Sequence, residues 1–237
     1  MRGTLRAILF MPLGPPPSPV SRRDRVRGAA SVGEVSGDHY FTAAPASAAE
    51  RRNLSVELAG RRLDVVTAGG IFSPSRVDVG TGVLLREAPT PPETGHLLDL
   101  GCGWGPIALS LGLRSPRAHV YAVDVNERAL DLARSNAASL GIEHFTANRP
   151  EEVPEDVRFD GIWSNPPIRV GKTVLHELLG TWLPRLGPGS TAYLVVQKNL
   201  GSDSLQRWVN ESLDGLGCER YATSRGFRVL AVRWRSA

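Results

Sequence analysis

Residues 97–111, "LLDLGCGWGPIALSL", decide the fold of this chain. An apolar run is followed by three glycines at alternate positions and by a second apolar run, which predicts a strand, a tight turn and a helix. The glycines, Gly101, Gly103 and Gly105, let the backbone approach a ligand closely and adopt angles that other residues resist. Because open α/β sheets bind ligands at the carboxyl ends of their strands, this turn is a candidate binding site.

Strand and helix patterns alternate after the Pro-rich stretch "APTPPETG" at residues 88–95. Such alternation predicts a parallel sheet with crossover helices. The expected strands are residues 96–100, 119–124, a short one around 145, 159–164, 191–197, 218–224 and 227–234, and the expected helices are residues 105–113, 127–140, 173–186 and 202–216. Earlier in the chain, residues 54–67 predict a β-hairpin that turns at Ala59-Gly60, and residues 82–87 predict a short helix.

The predicted fold class is α/β: a doubly wound, Rossmann-like, mostly parallel sheet of seven strands with a small N-terminal β-hairpin appendage. We expect a tail at residues 1–37, a hairpin and cover segment at residues 38–92, and a ligand-binding catalytic domain at residues 93–237. The tail contains "LGPPPSPVSRRDRVRG" and is expected to be disordered. It is either the product of a translation start assigned too early or a basic arm that adds nonspecific affinity for RNA.

Composition and charge exclude several classes of protein. Of the 237 residues, 41% are hydrophobic and 22% are charged, as in an ordinary globular domain. No apolar run approaches the roughly 20 residues that span a membrane. The two cysteines, Cys102 and Cys218, indicate neither a disulfide framework nor a metal site, so we expect a cytoplasmic protein. The net charge is +4, and residues 1–37 account for all of it, so an acidic partner must be bound by the tail or by a local patch.

Asp124 ends the predicted strand "HVYAVD", 19 residues after Gly105. A carboxylate at that position can accept hydrogen bonds from the hydroxyls of a ribose. The glycine spacing is G-x-G-x-G, and Asp99 precedes the turn, where a carboxylate would repel a pyrophosphate and attract an ammonium group. S-adenosylmethionine (SAM) has a ribose, an amino-acid tail and no phosphate, so these residues favour SAM over a dinucleotide. The alternative is a tight turn with solvated acids and no ligand.

The stretch "FDGIWSNPPIRVGK", residues 159–172, ends a predicted strand in a stiff corner, because Pro166 and Pro167 can continue neither a strand nor a helix. A doubly wound order places this strand beside the glycine-turn strand, so we expect Asn165 to face the cofactor. The side-chain carbonyl of Asn165 and the main-chain carbonyl of Pro166 would hold both hydrogens of a planar amine and leave its nitrogen facing the SAM methyl group. No strong base is needed, since the nitrogen becomes acidic as it is methylated.

These motifs resemble those of a known family. "DLGCGWG", "VYAVDVN" and "WSNPPIRVGK" are similar to the motifs of class I SAM-dependent methyltransferases that modify planar amines. More narrowly, "HYFTAAP", "GIFSPSRVDVGTGVLL", "VVQKNLGSDSLQRW" and "SRGFRVLAVRW" resemble the catalytic domain of ribosomal RNA small-subunit guanine-N2 methyltransferases, in the same order from about Asp38 onward. The resemblance implies SAM-dependent methylation of a guanine N2 amine, with ribosomal RNA or the small ribosomal subunit as partner.

The resemblance also implies roles for individual residues. The residues implied to bind SAM are Asp99, Gly101, Cys102, Gly103, Gly105, Asp124, Val125 and Asn148. Asp99 and the glycines would line the methionine end, Asp124 the ribose, and Asn148 would substitute for the acidic residue that the family often has near the adenine. The residues implied to hold the target amine and its base are Asn165, Pro166, Pro167 and Ile168. Apart from the resemblance, the positions of Arg169, Lys172 and Lys198 beside strand ends make them candidates for contacts to RNA phosphate, and the alternative is a solvated flank.

The sequence leaves the substrate open in two respects. The Asn-Pro-Pro corner also serves adenine-N6 and protein-glutamine methyltransferases, although Ile168 favours the guanine-N2 group. A SAM-binding RNA-assembly factor without turnover is a further alternative, which the intact corner disfavours. The larger members of the family have a duplicated N-terminal domain that helps to bind RNA, where this chain shows only a tail and a hairpin.

Several side chains have a structural alternative to a functional role. Phe72, Asp78 and Thr81 belong either to a loop that covers the cofactor or to a capped turn that packs Phe72 into the core. Cys102 and Trp163 are more typical of packing residues than of a nucleophile and a stacking platform. Structural roles are also expected for the five histidines, His39, His96, His119, His144 and His176.

Overall fold

The computed structural model describes residues 50–235, so the expectations for residues 1–37 and for "HYFTAAP" lie outside the described residues. In chain order the elements are β1 (Arg51–Leu58), β2 (Arg61–Ala68), α1 (Val79–Glu87), β3 (His96–Leu100), α2 (Pro106–Arg114), β4 (His119–Val123), α3 (Glu127–Ser139), β5 (Phe145–Asn148), β6 (Phe159–Ser164), α4 (Lys172–Trp182), β7 (Leu186–Gln197), α5 (Ser202–Ser212), β8 (Leu216–Ser224) and β9 (Phe227–Trp234). Within the described range, no helix has both the length and the apolar character needed to cross a membrane.

Seven strands form one sheet in the order β5-β4-β3-β6-β7-β9-β8. The pairings from β5 to β7 are parallel, whereas β9 is antiparallel to both β7 and β8. The strand order reverses between β3 and β6, and in such sheets the crevice at the reversal is where ligands bind. The predicted fold class, a mostly parallel seven-stranded α/β sheet, is therefore confirmed, and so is the adjacency of the glycine-turn strand and the strand of the corner.

Helices cover both faces of the sheet. On one face, α4 and α5 bury Leu179 and Val209 against β6, β7 and β9. On the other face, α1 and α2 bury Leu84 and Ala108 against alternate residues of the same strands, as the two-residue period of a strand requires. Trp163, which is 3% exposed, packs within this second layer, in line with the expectation of a core position.

The N-terminal hairpin packs against α2 and α3 rather than joining the large sheet. Val56 and Val65 form one hydrophobic cluster with Trp104. The buried side chain of Asn136 donates to Val66 O at 2.9 Å and accepts from Val66 N at 2.7 Å. One amide thereby satisfies both backbone groups of an edge residue, which fixes the hairpin against α3. The predicted hairpin with its turn at residues 59–60 is confirmed.

Some element boundaries differ from the predicted ones. Helix α4 ends at Trp182, and β7 already begins at Leu186, where a helix end and a turn were expected. Leu186 is buried and pairs with Phe159, so the "GPGS" segment forms an irregular part of the strand instead of a separate turn. Helix α5 ends at Ser212 rather than at residue 216, because the backbone of Leu213 is already extended, and Gly215, with a positive φ of 74°, then turns the chain into β8.

Candidate active site

A cavity of about 340 Å³ lies at the carboxyl ends of the central strands. Its walls come from the carboxyl ends of four neighbouring strands, from the segment before α1 and from the start of β9. The four strand ends are the glycine loop after β3, residues 124–126 after β4, the Asn-Pro-Pro corner after β6, and the end of β7. The lining residues are Ile71, Phe72, Asp78, Gly101, Gly103, Asp124, Asn126, Ala129, Asn165, Pro166, Pro167, Ile168, Arg169, Val195, Gln197, Leu200 and Phe227. We call the part lined after β3 and β4 the glycine side, and the part lined after β6 and β7 the corner side.

On the glycine side, the loop is held to the neighbouring strand by its backbone. Gly101 N donates to Val123 O at 2.8 Å, and Gly103 N donates to the Asp124 carboxylate at 2.9 Å. Gly101 and Gly103 have φ values of 79° and 54°, and no atom lies within 4 Å of a Cβ placed at Gly101. The glycine at 101 is therefore required by the backbone conformation and not by crowding.

Asp124 presents its carboxylate to the cavity from the end of β4. Its Oδ2 accepts from Gly103 N and its Oδ1 from Asn126 N, each at 2.9 Å. Burial raises the pKa of this carboxyl group, and the hydrogen bonds from the backbone oppose the shift. Each carboxylate oxygen accepts more than one hydrogen bond, so Asp124 can also accept from the hydroxyls of a ligand.

On the corner side, α1 holds the side chain of Asn165. Asn165 Nδ2 donates to Asp78 Oδ2 at 2.9 Å and to Thr81 Oγ1 at 3.1 Å, so both of its N–H groups are used. No donor within residues 50–235 is placed to bond Asn165 Oδ1, which leaves this oxygen available at the cavity wall. Pro166 O already accepts from Ile168 N at 2.9 Å and keeps its second lone pair.

The segment of residues 69–81 crosses the cavity from one side to the other, and we call it the cover segment. Asn126 Nδ2 donates to Gly70 O at 2.9 Å, and Trp104 Nε1 donates to Ser73 O at 3.2 Å. Phe72 lines the cavity and is 38% exposed, so it is not packed into the core. The alternative of a capped turn is half right: Asp78 does cap α1, but the cap lies at the cavity wall.

A family model for the methyltransferase small domain matches residues 62–231. The chain belongs to the methyltransferase small domain family. The resemblance to class I methyltransferases that the motifs indicate is thus confirmed. Because the matched residues include the lining of the cavity, the cavity is the candidate active site of a methyltransferase.

Two curated relatives illustrate the range of this methyltransferase family. The uncharacterized protein YbxB of Bacillus subtilis (strain 168) is 31% identical over 180 residues, which are 75% of this chain and 90% of YbxB. The ribosomal RNA small subunit methyltransferase C of Pseudomonas entomophila (strain L48) is 32% identical over 204 residues, which are 83% of this chain and 58% of that protein. The chain therefore spans a little more than half the length of the second relative.

A solved structure shares the fold. The 16S rRNA N2 G1207 methyltransferase (RsmC) of T. Thermophilus, in complex with AdoMet and guanosine, matches with a TM-score of 0.67 and 24% sequence identity. The match covers 78% of this chain and 51% of the solved chain. The fold of this chain is therefore found in a protein of known structure.

Three residues that the resemblance assigns to the cofactor do not line the 340 Å³ cavity. Asp99 is fully buried, and its Oδ2 accepts from Ala108 N at 2.9 Å. No described residue bonds its Oδ1, and burial raises the pKa of Asp99 to about 8. Cys102 faces a side cavity of about 20 Å³, and burial raises the pKa of its thiol well above the usual value. Gly105 caps α2 with a φ of 95° and packs against Ala133.

Other predicted residues lie outside the cavity lining. Val125 is 39% exposed, and Asn148 has a buried Oδ1 that no described residue bonds. Lys172 and Lys198 are exposed on the flanks of the corner side, whereas Arg169 lines the cavity. The structure thus brings the corner, Arg169, two glycines and Asp124 together, and places the remaining assigned residues around them.

The structure adds lining residues that the sequence did not indicate. Asn126 caps α3 and bonds Gly70, and its position in the quoted "VYAVDVN" motif was an available signal. Gln197 ends β7 at the same edge of the sheet as Asn165, so its place at a strand end could have identified it. Phe227 reaches the cavity from the start of the antiparallel β9, a position that only the sheet order reveals.

Proposed function

We propose that the chain is a SAM-dependent N-methyltransferase that acts on the exocyclic N2 amine of a guanine in ribosomal RNA. The proposal depends mainly on one observation: Asn165 and Pro166 line the same cavity as Gly103 and Asp124. The cavity therefore contains hydrogen-bond acceptors that suit an amine, and it also contains a carboxylate that suits a ribose. The similarity to a ribosomal RNA small subunit methyltransferase C supports the class of substrate.

The charges of the lining residues fit SAM better than a phosphate ligand. Asp124 lines the cavity on the glycine side and Asp78 lines it from the cover segment, whereas the basic side chain of the lining, Arg169, follows the corner. Two carboxylates would repel a pyrophosphate, and they attract a ligand that carries ammonium and sulfonium charges. When bound, SAM supplies the electrophilic methyl group.

The corner side would hold the target amine by its hydrogens. Asn165 Oδ1 and the free lone pair of Pro166 O are acceptors on a frame that two prolines make rigid. As the amine nitrogen forms its new bond to carbon, its conjugation with the ring is lost and its N–H groups become more acidic. Hydrogen bonds to the two oxygens strengthen in that transition state, which is the kind of binding that accelerates a reaction. Half-buried Ile168 offers apolar surface to the base.

The proton that leaves the amine needs no histidine in this mechanism. Among the histidines of residues 50–235, none lines the cavity. His176 stacks on Trp208 with 3.9 Å between ring centroids, and His119 bonds the Thr146 hydroxyl at 3.1 Å. Asn165 Oδ1 and solvent are then the acceptors for the proton. With this substrate, the proposed location of the protein is the cytoplasm, together with the small ribosomal subunits.

The test is transfer of labelled methyl from SAM to small ribosomal subunits from a strain that lacks the gene for this protein, followed by mass spectrometry of the nucleosides. We expect labelled N2-methylguanosine. Subunits from the parent strain serve as a control and should accept little label, because their site is already methylated.

The other outcomes separate the alternatives. Label in N6-methyladenosine or in protein glutamine would contradict the guanine assignment and retain the methyltransferase. SAM binding without transfer to any substrate would instead favour an assembly factor.

A further inference from the structure

We infer that Asp78 is a positioning residue that fixes the side-chain amide of Asn165 with its carbonyl oxygen toward the substrate. The inference rests on the proposed role of Asn165 in holding the target amine. It assigns to the cover segment a task in the transfer step, in addition to covering the cofactor.

The hydrogen bonds of Asn165 determine which way its amide faces. Asp78 Oδ2 lies 2.9 Å from Asn165 Nδ2, and Thr81 Oγ1 lies 3.1 Å from the same nitrogen. An ionised carboxylate accepts hydrogen bonds and donates none, so the amide must turn its NH₂ group toward Asp78. Its Oδ1 then points away from α1.

The opposite orientation of the amide would be unproductive. The two ends of an amide have nearly the same shape, so packing alone distinguishes them poorly. A rotation of the Asn165 amide by a half-turn would place its oxygen against Asp78 Oδ2 and its NH₂ against the N–H groups of the target amine. Both contacts are repulsive. Asp78 therefore excludes an orientation in which the corner cannot bind the amine.

The same oxygen of Asp78 also begins α1. Asp78 Oδ2 accepts from Gly80 N at 2.7 Å and from Thr81 N at 3.2 Å, which is the usual geometry of a helix N-cap. A substitution that removes the whole side chain would change the helix and the amide together. The two effects can be separated, because serine is as good an N-cap as aspartate but its shorter side chain cannot also reach Asn165.

The variants follow from this geometry. Asp78→Ser keeps the cap and removes the contact with the amide, whereas Asp78→Asn keeps an oxygen at the position that both contacts need. Thr81→Val removes the second acceptor without changing the shape of a residue that is 3% exposed. Thr81→Ser is its matched control, since it retains the hydroxyl.

The experiment measures kcat, the KM for RNA, the Kd for SAM and the melting temperature of each variant. We expect Asp78→Ser to lower kcat about tenfold, and Asp78→Ser with Thr81→Val about 100-fold, because a misplaced catalytic group costs on this order. The melting temperature should stay near its wild-type value. Any rise in the Kd for SAM should be the same in Asp78→Asn as in Asp78→Ser, because both variants remove the carboxylate charge, whereas only Asp78→Ser should lower kcat. Asp78→Asn should restore kcat toward wild type.

Two further readouts distinguish orientation from a general structural role. In the Asn165→Ala background, Asp78→Ser should lower kcat no further, because the amide that it positions is gone. In ¹⁵N-resolved NMR spectra, the side-chain NH₂ signals of Asn165 should shift and exchange faster with water in Asp78→Ser.

The inference is overturned if Asp78→Ser leaves both kcat and the NMR signals unchanged, or if its full effect persists in Asn165→Ala. Failure of the proposed function would look different. Wild-type protein would then transfer no methyl group to RNA, while the NMR signals of Asn165 would still respond to Asp78→Ser.

Discussion

The glycine side and the corner side of the cavity are stabilised in different ways. On the glycine side, Asp124 bonds backbone N–H groups of its own loop and of Gly103, which is 21 residues away in the sequence. On the corner side, Asn165 bonds side chains of α1, and Asp78 is 87 residues away. The first side is a local structure of one strand–loop–helix unit and its neighbour. The corner side forms only when α1, which is distant in the sequence, has packed on the sheet.

This difference shows why the two sides should respond differently to mutation. Backbone donors cannot be removed by a side-chain substitution. A substitution on the glycine side should therefore remove only the contacts that the substituted side chain itself makes with the ligand. A side chain held by other side chains loses its orientation when any member of the set changes. We expect binding defects from the glycine side and transfer defects from the corner side.

The largest effect is expected for Asn165→Ala. Transfer should fall by about 10²–10³-fold, the usual result of removing one group that stabilises a transition state. The Kd for SAM should change less than about twofold, because the glycine side stays intact. Single-turnover kinetics and calorimetry measure the two quantities, and equal losses in both would contradict the role given to Asn165.

The second effect concerns Asp124→Ala. SAM binding should weaken by about 10- to 100-fold, since hydrogen bonds to a charged group contribute about 1.5–3 kcal/mol each. Asp124→Asn keeps the shape and one accepting oxygen and should give an intermediate Kd. Calorimetry that finds wild-type affinity for Asp124→Ala would exclude this carboxylate from the cofactor site.

A third effect concerns the pH dependence of stability that the buried carboxyl group of Asp99 causes. The pKa of Asp99 is raised by burial from 3.8 to about 8, so its protonated form stabilises the fold. This contribution is complete below pH 3.8, declines as the pH rises, and is lost above about pH 8. The melting temperature of wild type relative to Asp99→Asn should therefore fall by several degrees over that window.

Thermal melts between pH 4 and pH 9 measure this difference. Asp214→Asn, which removes an exposed carboxylate, is the matched control. A difference between wild type and Asp99→Asn that stays constant with pH would show that Asp99 does not titrate in this range.

The smallest effect is expected for Gln197→Ala on the corner side. Gln197 lines the cavity at the end of β7, on the far side of Asn165 from the glycine loop. We expect its side-chain amide to bond the base, so loss of this one neutral hydrogen bond should raise the KM for RNA about three- to tenfold and leave the Kd for SAM unchanged. Asn199→Ala, an exposed amide outside the cavity lining, is the control. Weaker SAM binding in Gln197→Ala would contradict the assignment of SAM binding to the glycine side alone.

Much of the fold could be predicted because it depends on local patterns. The buried runs at His96–Leu100 and Phe159–Ser164 have the length and composition of parallel strands, and the structure reproduces their bounds. The boundary between α4 and β7 could not be predicted, because the pairing of Leu186 with Phe159 draws a Gly-Pro-Gly segment into the sheet. Tertiary pairing here outweighs the turn preference of the residues.

The candidate site follows the same division. The glycine turn and the acid at a strand end, Asp124, lie at fixed places in a known architecture. Their proximity therefore follows from the sheet order. The contact between Asn165 and Asp78 depends on how α1 packs on β7 and β9, which no periodicity specifies. The burial of Asp99 could not be predicted either. The sequence places Asp99 beside the loop but does not reveal that its side chain is fully buried in the core.

The double use of one oxygen of Asp78 has a consequence for how the active state is maintained. The oxygen that starts α1 is also the oxygen that orients Asn165, so the first turn of the helix and the orientation of the amide are thermodynamically coupled. Molecules in which α1 has frayed lose the productive corner, even while the central sheet remains folded. Activity in this protein should therefore decline at temperatures below the global unfolding transition, in step with the local melting of a single helical turn.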